Sequence, residues 1–178
     1  MKRRLALLGS AALAATLASG CAGPVPADYA AEKPLLDLKT YFNGELTAHG
    51  IFTDRSGKVA RRFTVAMTGT WNGDDGVLDE RFTYSDGKTE RRVWRLKSLG
   101  NGRWSGRADD VVGEAVGVAA GNALNWSYTL RLPVDGKTYE VQFDDWMYLM
   151  DERVMLNKAV MSKFGIRLGE VTLSFTKK

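Results

Sequence analysis

Asp144 and Asp145 stand side by side between aromatic residues in the stretch Phe143-Asp144-Asp145-Trp146-Met147-Tyr148. Successive side chains of an extended strand point to opposite faces, so such a pair sends one carboxylate to each side of a sheet. Alternation assigns the sides: Tyr139, Val141, Phe143, Asp145 and Met147 fall together, with Glu140, Gln142, Asp144 and Trp146 opposite. Asp145 is therefore the inward carboxylate, and Asp144 belongs to the outer face. A second inward acid comes from Leu78, Glu80, Phe82 and Tyr84, where Glu80 shares an otherwise apolar face. Isolated buried carboxylates are costly to ionise and need partners. The candidates are Arg92 and Arg95, on either side of Trp94, together with Arg81, Arg153 and Lys163. A guanidinium is always charged and has the fork geometry to bridge carboxylates.

Three roles are open to such a cluster. It is an ion-pair clasp that closes the interior and specifies the fold, or it orients the head group of a ligand in a mostly apolar cavity. In the second case Asp145, Glu80 and Arg92 supply the polar contacts, with Trp94, Trp126 and Tyr128 as wall residues. The third role is acid–base chemistry by the two carboxylates, which depends on their separation.

Other chemistry finds little support. His49 is the single histidine, beside Gly50, and reads as a surface strand residue. With one histidine and one cysteine, a metal site would rest on carboxylates, and these lack calcium-loop spacing. No serine lies in a nucleophile elbow. Gly113, Gly117 and Gly121 lack the Lys-Ser/Thr ending of a phosphate loop and instead mark close backbone approach, a bend or a portal. No catalytic residue, metal or cofactor is assigned. Arg61-Arg62 and Arg91-Arg92 read as solvated charge at strand ends or as contacts to anionic head groups.

The elements that must hold these side chains are nearly all strands. Alternating segments lie at about 44–53, 59–71, 77–85, 90–98, 102–109, 111–118, 123–133, 137–149, 153–161 and 167–176, separated by Asn-, Asp- and Gly-rich turns. Asp86-Gly87 and Asp135-Gly136 are tight hairpin signals, so their flanking strands are antiparallel neighbours. No βαβ pattern occurs. Some eight to ten strands joined by short turns predict an all-β, antiparallel up-and-down barrel in preference to a sandwich, because closure removes exposed edges. Pro34 to Phe42, with apolar residues at 35, 38 and 42, predicts a short helix packed on one end.

The N-terminus carries an address. Lys2-Arg3-Arg4 precede an apolar run from Leu5 to Leu17, shorter than the ~20 residues of a membrane span and suited to a signal peptide over 1–20. Ala18-Ser19-Gly20-Cys21 resembles the bacterial lipobox, in which the cysteine is acylated. Several acyl chains at about 0.8 kcal/mol per buried methylene make a firm anchor. Ala22 in place of Asp at the next position implies delivery to the outer membrane, facing the periplasm. Residues 21–33 then read as an acylated, Pro-containing tether, and 34–178 as one domain. Removing Lys2, Arg3 and Arg4 takes the 25 basic residues to 22, against 21 acidic ones. The mature chain is near neutral, and nothing remains to suggest nucleic-acid binding, which needs a clustered basic face. A single cysteine excludes an internal disulfide.

Tyr41-Phe42-Asn43-Gly44, Asp54-Arg55-Ser56-Gly57-Lys58, Phe82-Thr83-Tyr84-Ser85-Asp86-Gly87, Arg92-Val93-Trp94, Asp109-Asp110-Val111-Val112-Gly113, Gly121-Asn122-Ala123-Leu124, Asp144-Asp145-Trp146-Met147-Tyr148 and Lys163-Phe164-Gly165 carry a resemblance over nearly the whole mature chain. Together they resemble the bacterial lipoproteins catalogued as domain of unknown function 3833. The resemblance implies a calycin-like barrel, akin to lipocalins, and no activity. The expectation is a non-enzymatic, outer-membrane-anchored periplasmic lipoprotein whose barrel binds a hydrophobic or lipid-like ligand. The alternatives are an envelope assembly factor that uses a closed barrel as a scaffold, and an enzyme acting on envelope lipids.

Overall fold

The computed structural model describes residues 23–178. The expected signal peptide and Cys21 lie outside the described residues. Among those residues, ten antiparallel strands form a closed barrel: β1 (Gly44–Asp54), β2 (Val59–Asn72), β3 (Asp75–Tyr84), β4 (Thr89–Gly100), β5 (Arg103–Arg107), β6 (Ala115–Ala120), β7 (Ala123–Val134), β8 (Lys137–Leu149), β9 (Val154–Lys163) and β10 (Ile166–Lys177). Each strand pairs with its neighbours in sequence, and β10 returns to β1 in register from Leu46↔Lys177 to Asp54↔Gly169. The predicted up-and-down, all-β barrel is thus the observed one.

Period-two alternation sorts the faces. On β2, Val65, Met67 and Gly69 are buried while Thr64, Ala66, Thr68 and Thr70 are exposed. On β3, Leu78 turns in while Arg81 and Thr83 stay outside. An apolar interior under a polar exterior is the inverse of a lipid-embedded barrel, whose outer band is apolar. Leu46, Leu124, Val141 and Met155 are the largest fully buried side chains. Each contributes roughly 1.5–3 kcal/mol by leaving water.

One end of the barrel is plugged. The helix predicted over 34–42 is shorter, α1 (Leu38–Tyr41), because the Asp37 carboxylate accepts from Thr40 N at 2.8 Å and sets the helix start there. Upstream, the Leu36 N–H donates instead to the Gly121 carbonyl at 2.8 Å. Leu36, Leu38, Tyr41 and Phe42 are buried, and Phe42 meets Phe175 edge-on with ring centroids 6.1 Å apart. Lys177 Nζ reaches the carbonyls of Tyr41 and Asn43, each at 2.9 Å, and that of Thr40. The Thr40 and Tyr41 carbonyls are among those a helix end leaves unpaired, where a cation is favoured. Gly69 lies under this turn: a Cβ there would stand 1.6 Å from the Phe42 carbonyl oxygen.

Two segments depart from expectation. Within 21–33, read as a tether, Pro26–Tyr29 forms a 3₁₀ turn, η1, packed on β6 and β7. Tyr29 supplies the reason: its ring sits 5.3 Å from Tyr148 and 5.7 Å from Trp146, on the outer face that Asp144 shares. The strand expected from 111 begins only at Ala115. Residues 108–114 form a loop laid against β7, where Arg131 N donates to Asp110 O at 2.7 Å and Val112 N to Thr129 O at 2.9 Å. Val111 is buried beneath it and bridges Leu130.

Candidate functional site

Opposite the plug, the barrel interior is hollow. A cavity of about 520 Å³ runs from Leu38 and Phe42 at the closed end to Ala60, Arg61, Tyr84 and Val134 at the hairpin end. Its walls are mostly aliphatic and aromatic. All six residues singled out from sequence line it: Glu80, Arg92, Trp94, Trp126, Tyr128 and Asp145.

Strand register explains the convergence. Glu80 is the cross-strand partner of Arg92, and Leu78 of Trp94, on the β3–β4 ladder. Trp126 pairs with Asp145 and Tyr128 with Phe143 on the β7–β8 ladder. Partners in an antiparallel pair share a face, so both sets enter the interior. Trp94 joins the two halves, with ring centroids 5.8 Å from Trp126 and 5.5 Å from Tyr128. Tyr128 stacks on Phe143 at 5.0 Å. Trp126 fits because β5 and β6 offer bare backbone: a Cβ on Gly117 would lie 2.2 Å from its ring, and one on Gly106 2.7 Å. That is the close approach expected around Gly113–Gly121.

The polar partners differ from the clasp expected. Arg92 does not ion-pair with Glu80 or Asp145; its Nη2 lies 2.7 Å from the Asp110 carboxylate, and its Nε donates to the same group at 2.9 Å. The reason is the 108–114 loop, which brings Asp110 over the end of β7. Of the other expected partners, Arg81 pairs with Asp79 on the surface and Arg95 is exposed. Arg153 donates to the Lys177 carbonyl and Lys163 to the Glu140 carbonyl. Asp145, 7 % exposed, instead accepts from Asn157 Nδ2, while Asn157 also donates to the Trp146 carbonyl at 3.2 Å. Asp144 is outside, accepting from Asn125 at 2.7 Å. His49 is exposed on β1.

Electrostatics follow from this pairing. Burial pushes the Glu80 carboxyl up to about 7; Arg92 and the Trp94 indole N–H pull against it, and the Asp110 charge adds to the rise. Burial likewise pushes Asp145 up to about 7 against the Asn157 hydrogen bond, with the Glu80 and Asp144 charges raising it further. Burial opposes the charge on Arg92, but Asp110 and Glu80 hold its pKa above the usual value. Tyr128 is raised by burial first and by the Asp145 charge second.

Asn157 and Asp110 are the residues of this cluster that sequence reasoning missed. Asn157 is 2 % exposed, lines the cavity and leaves its Oδ1 without a hydrogen-bond partner. Its signal was present, since Met155, Asn157, Ala159 and Met161 are the inward positions of β9. No group of three or more His, Cys, Asp or Glu side chains converges for a metal among the described residues.

The family model described as "Protein of unknown function (DUF3833)" matches residues 15–177. No curated protein matches the chain at a significant level.

Proposed function

The chain belongs to this DUF3833 family, and from that premise we propose that its barrel is a calycin-like container for a hydrophobic or lipid-like ligand. The observation that carries the reading is the hollow interior. A cavity of about 520 Å³ falls within the ~300–1,000 Å³ of small-molecule sites, and its few convergent polar groups in an apolar wall match such sites in kind. An interior meant only to be a scaffold would be filled, because each void forfeits packing energy.

In this reading Cys21 is acylated and the protein is held at the periplasmic side of the outer membrane. Support comes from the N-terminal sequence and from η1. Three residues separate Cys21 from Val25, at most about 14 Å of chain between their Cα atoms. Since η1 packs beside the β6–β7 turn, at the plugged end, the mouth among the β1–β2, β3–β4 and β7–β8 hairpins is turned away from the anchor.

Native mass spectrometry of protein purified from its envelope tests the reading. One co-purifying amphiphile per chain is expected, released by organic extraction. Unliganded protein from every preparation, with a stoichiometric protein partner on crosslinking, would favour the scaffold instead.

A further inference from the structure

The cavity carries more negative charge and more hydrogen-bond acceptors than its own side chains satisfy. Both cations lining it are paired with acids on loops and turns: Arg92 with Asp110, and Arg61 with Asp86 at 3.0 Å. Both acids lining it, Glu80 and Asp145, have no basic side chain within ion-pair distance among the described residues. Asn157 adds a buried carbonyl oxygen with no donor. Around this acceptor set stand the rings of Trp94, Trp126 and Tyr128, whose faces attract cations.

We propose that the ligand is a long-chain amine, its ammonium held by Glu80, Asp145 and Asn157 Oδ1 among the three aromatic rings and its alkyl chain along the apolar wall. The inference rests on the container reading and specifies its ligand. An ammonium brings three donors and one positive charge, which suits three acceptors and an uncompensated acidic site. A carboxylate head would add a third negative charge and leave the Asn157 oxygen unpaired. An alcohol would bring one donor and no positive charge to the two carboxyls.

The groups facing these acids are few. Glu80 meets Arg92 and Trp94 from β4, Asp110 from the 108–114 loop and Tyr128 from β7, with Asp79 adjacent on its own strand. Asp145 meets Tyr128 from β7, Asn157 from β9 and Glu80 across the interior, with Asp144 adjacent. Only the two inward carboxyls sit near neutrality, so amine binding strengthens from pH 5 to pH 8 while alkylammonium itself stays charged.

The test is calorimetric titration of the purified protein with dodecylammonium, dodecanol and dodecanoate. The expected result at pH 8 is one site, with dodecylammonium at least tenfold tighter than either other chain and its lead shrinking at least fivefold at pH 5. Glu80→Gln and Asp145→Asn, verified as folded by circular dichroism, each narrow the amine-over-alcohol ratio. Dodecanol or dodecanoate bound as well as the amine, or a lead that does not change with pH, would overturn the proposal and leave the container reading standing. Binding of none of the three would overturn both.

Discussion

Glu80 and Arg92 are directly opposed across the β3–β4 ladder, yet the guanidinium turns to Asp110 and leaves the carboxylate to the cavity. One opposite-charge pair is thereby exchanged for another, and the exchange does two things at once. It fastens the 108–114 loop over β7, and it leaves an acid inside the barrel without an ion-pair partner.

If Asp110 holds Arg92 away from Glu80, Asp110→Asn should let the guanidinium swing inward. The expected outcome is a lower Glu80 pKa by carboxyl NMR and faster amide exchange at Val112, whose N–H bonds to Thr129. A stability loss of about 1–3 kcal/mol, typical of a lost hydrogen bond to a charged group, should accompany it.

Glu80 and Asp145 make stability depend on pH with a definite sign. Each is raised to about 7 in the folded chain, above its ordinary value, so the native state binds more protons than the unfolded state between about pH 4 and 7. Ligand-free stability is expected to fall as pH rises through that window and to level off above it, with the two groups together worth on the order of 8 kcal/mol at 1.36 kcal/mol per unit. Asp145→Asn keeps an acceptor for Asn157 and should flatten the curve and raise the midpoint at pH 8. Thermal melts at pH 5 and pH 8 check both statements.

Gly117→Ala should drive the Trp126 indole off its seat, since the added carbon would lie 2.2 Å from the ring. Overpacking of this kind costs roughly 1–3 kcal/mol. The measurable signs are a lower denaturation midpoint and altered tryptophan emission, with weaker binding of any ligand because the ring can yield only toward the cavity.

The sequence made the barrel legible because β-structure with one buried face writes its register as alternation. Phe63, Val65, Met67, Gly69 and Trp71 against three threonines and an alanine leave little freedom, and the same rule put Asp145 inside and Asp144 outside. What alternation cannot carry is which groups meet across the interior. Asp110 follows no strand period, so its hold on Arg92 comes from a loop path set by Val111 and the Arg131 N–H. Asn157 falls on the inward face of β9 by alternation, but only its unpaired oxygen and its place in the cavity wall mark it as part of the site. The Tyr29 turn was masked in the same way: the small, Pro-containing stretch around it resembles a linker, and only the Trp146 and Tyr148 rings on β8 give it a docking place.

The central claim is that an alkyl chain occupies the barrel interior, and Trp94 and Trp126 stand in its wall as reporters. Titrating the purified protein with a terminally brominated dodecyl amphiphile and following tryptophan emission tests it most directly. Quenching that saturates at one equivalent, and is reversed by the unbrominated chain, is the expected result. Quenching no greater than free bromide gives, or rising linearly without saturation, would contradict it.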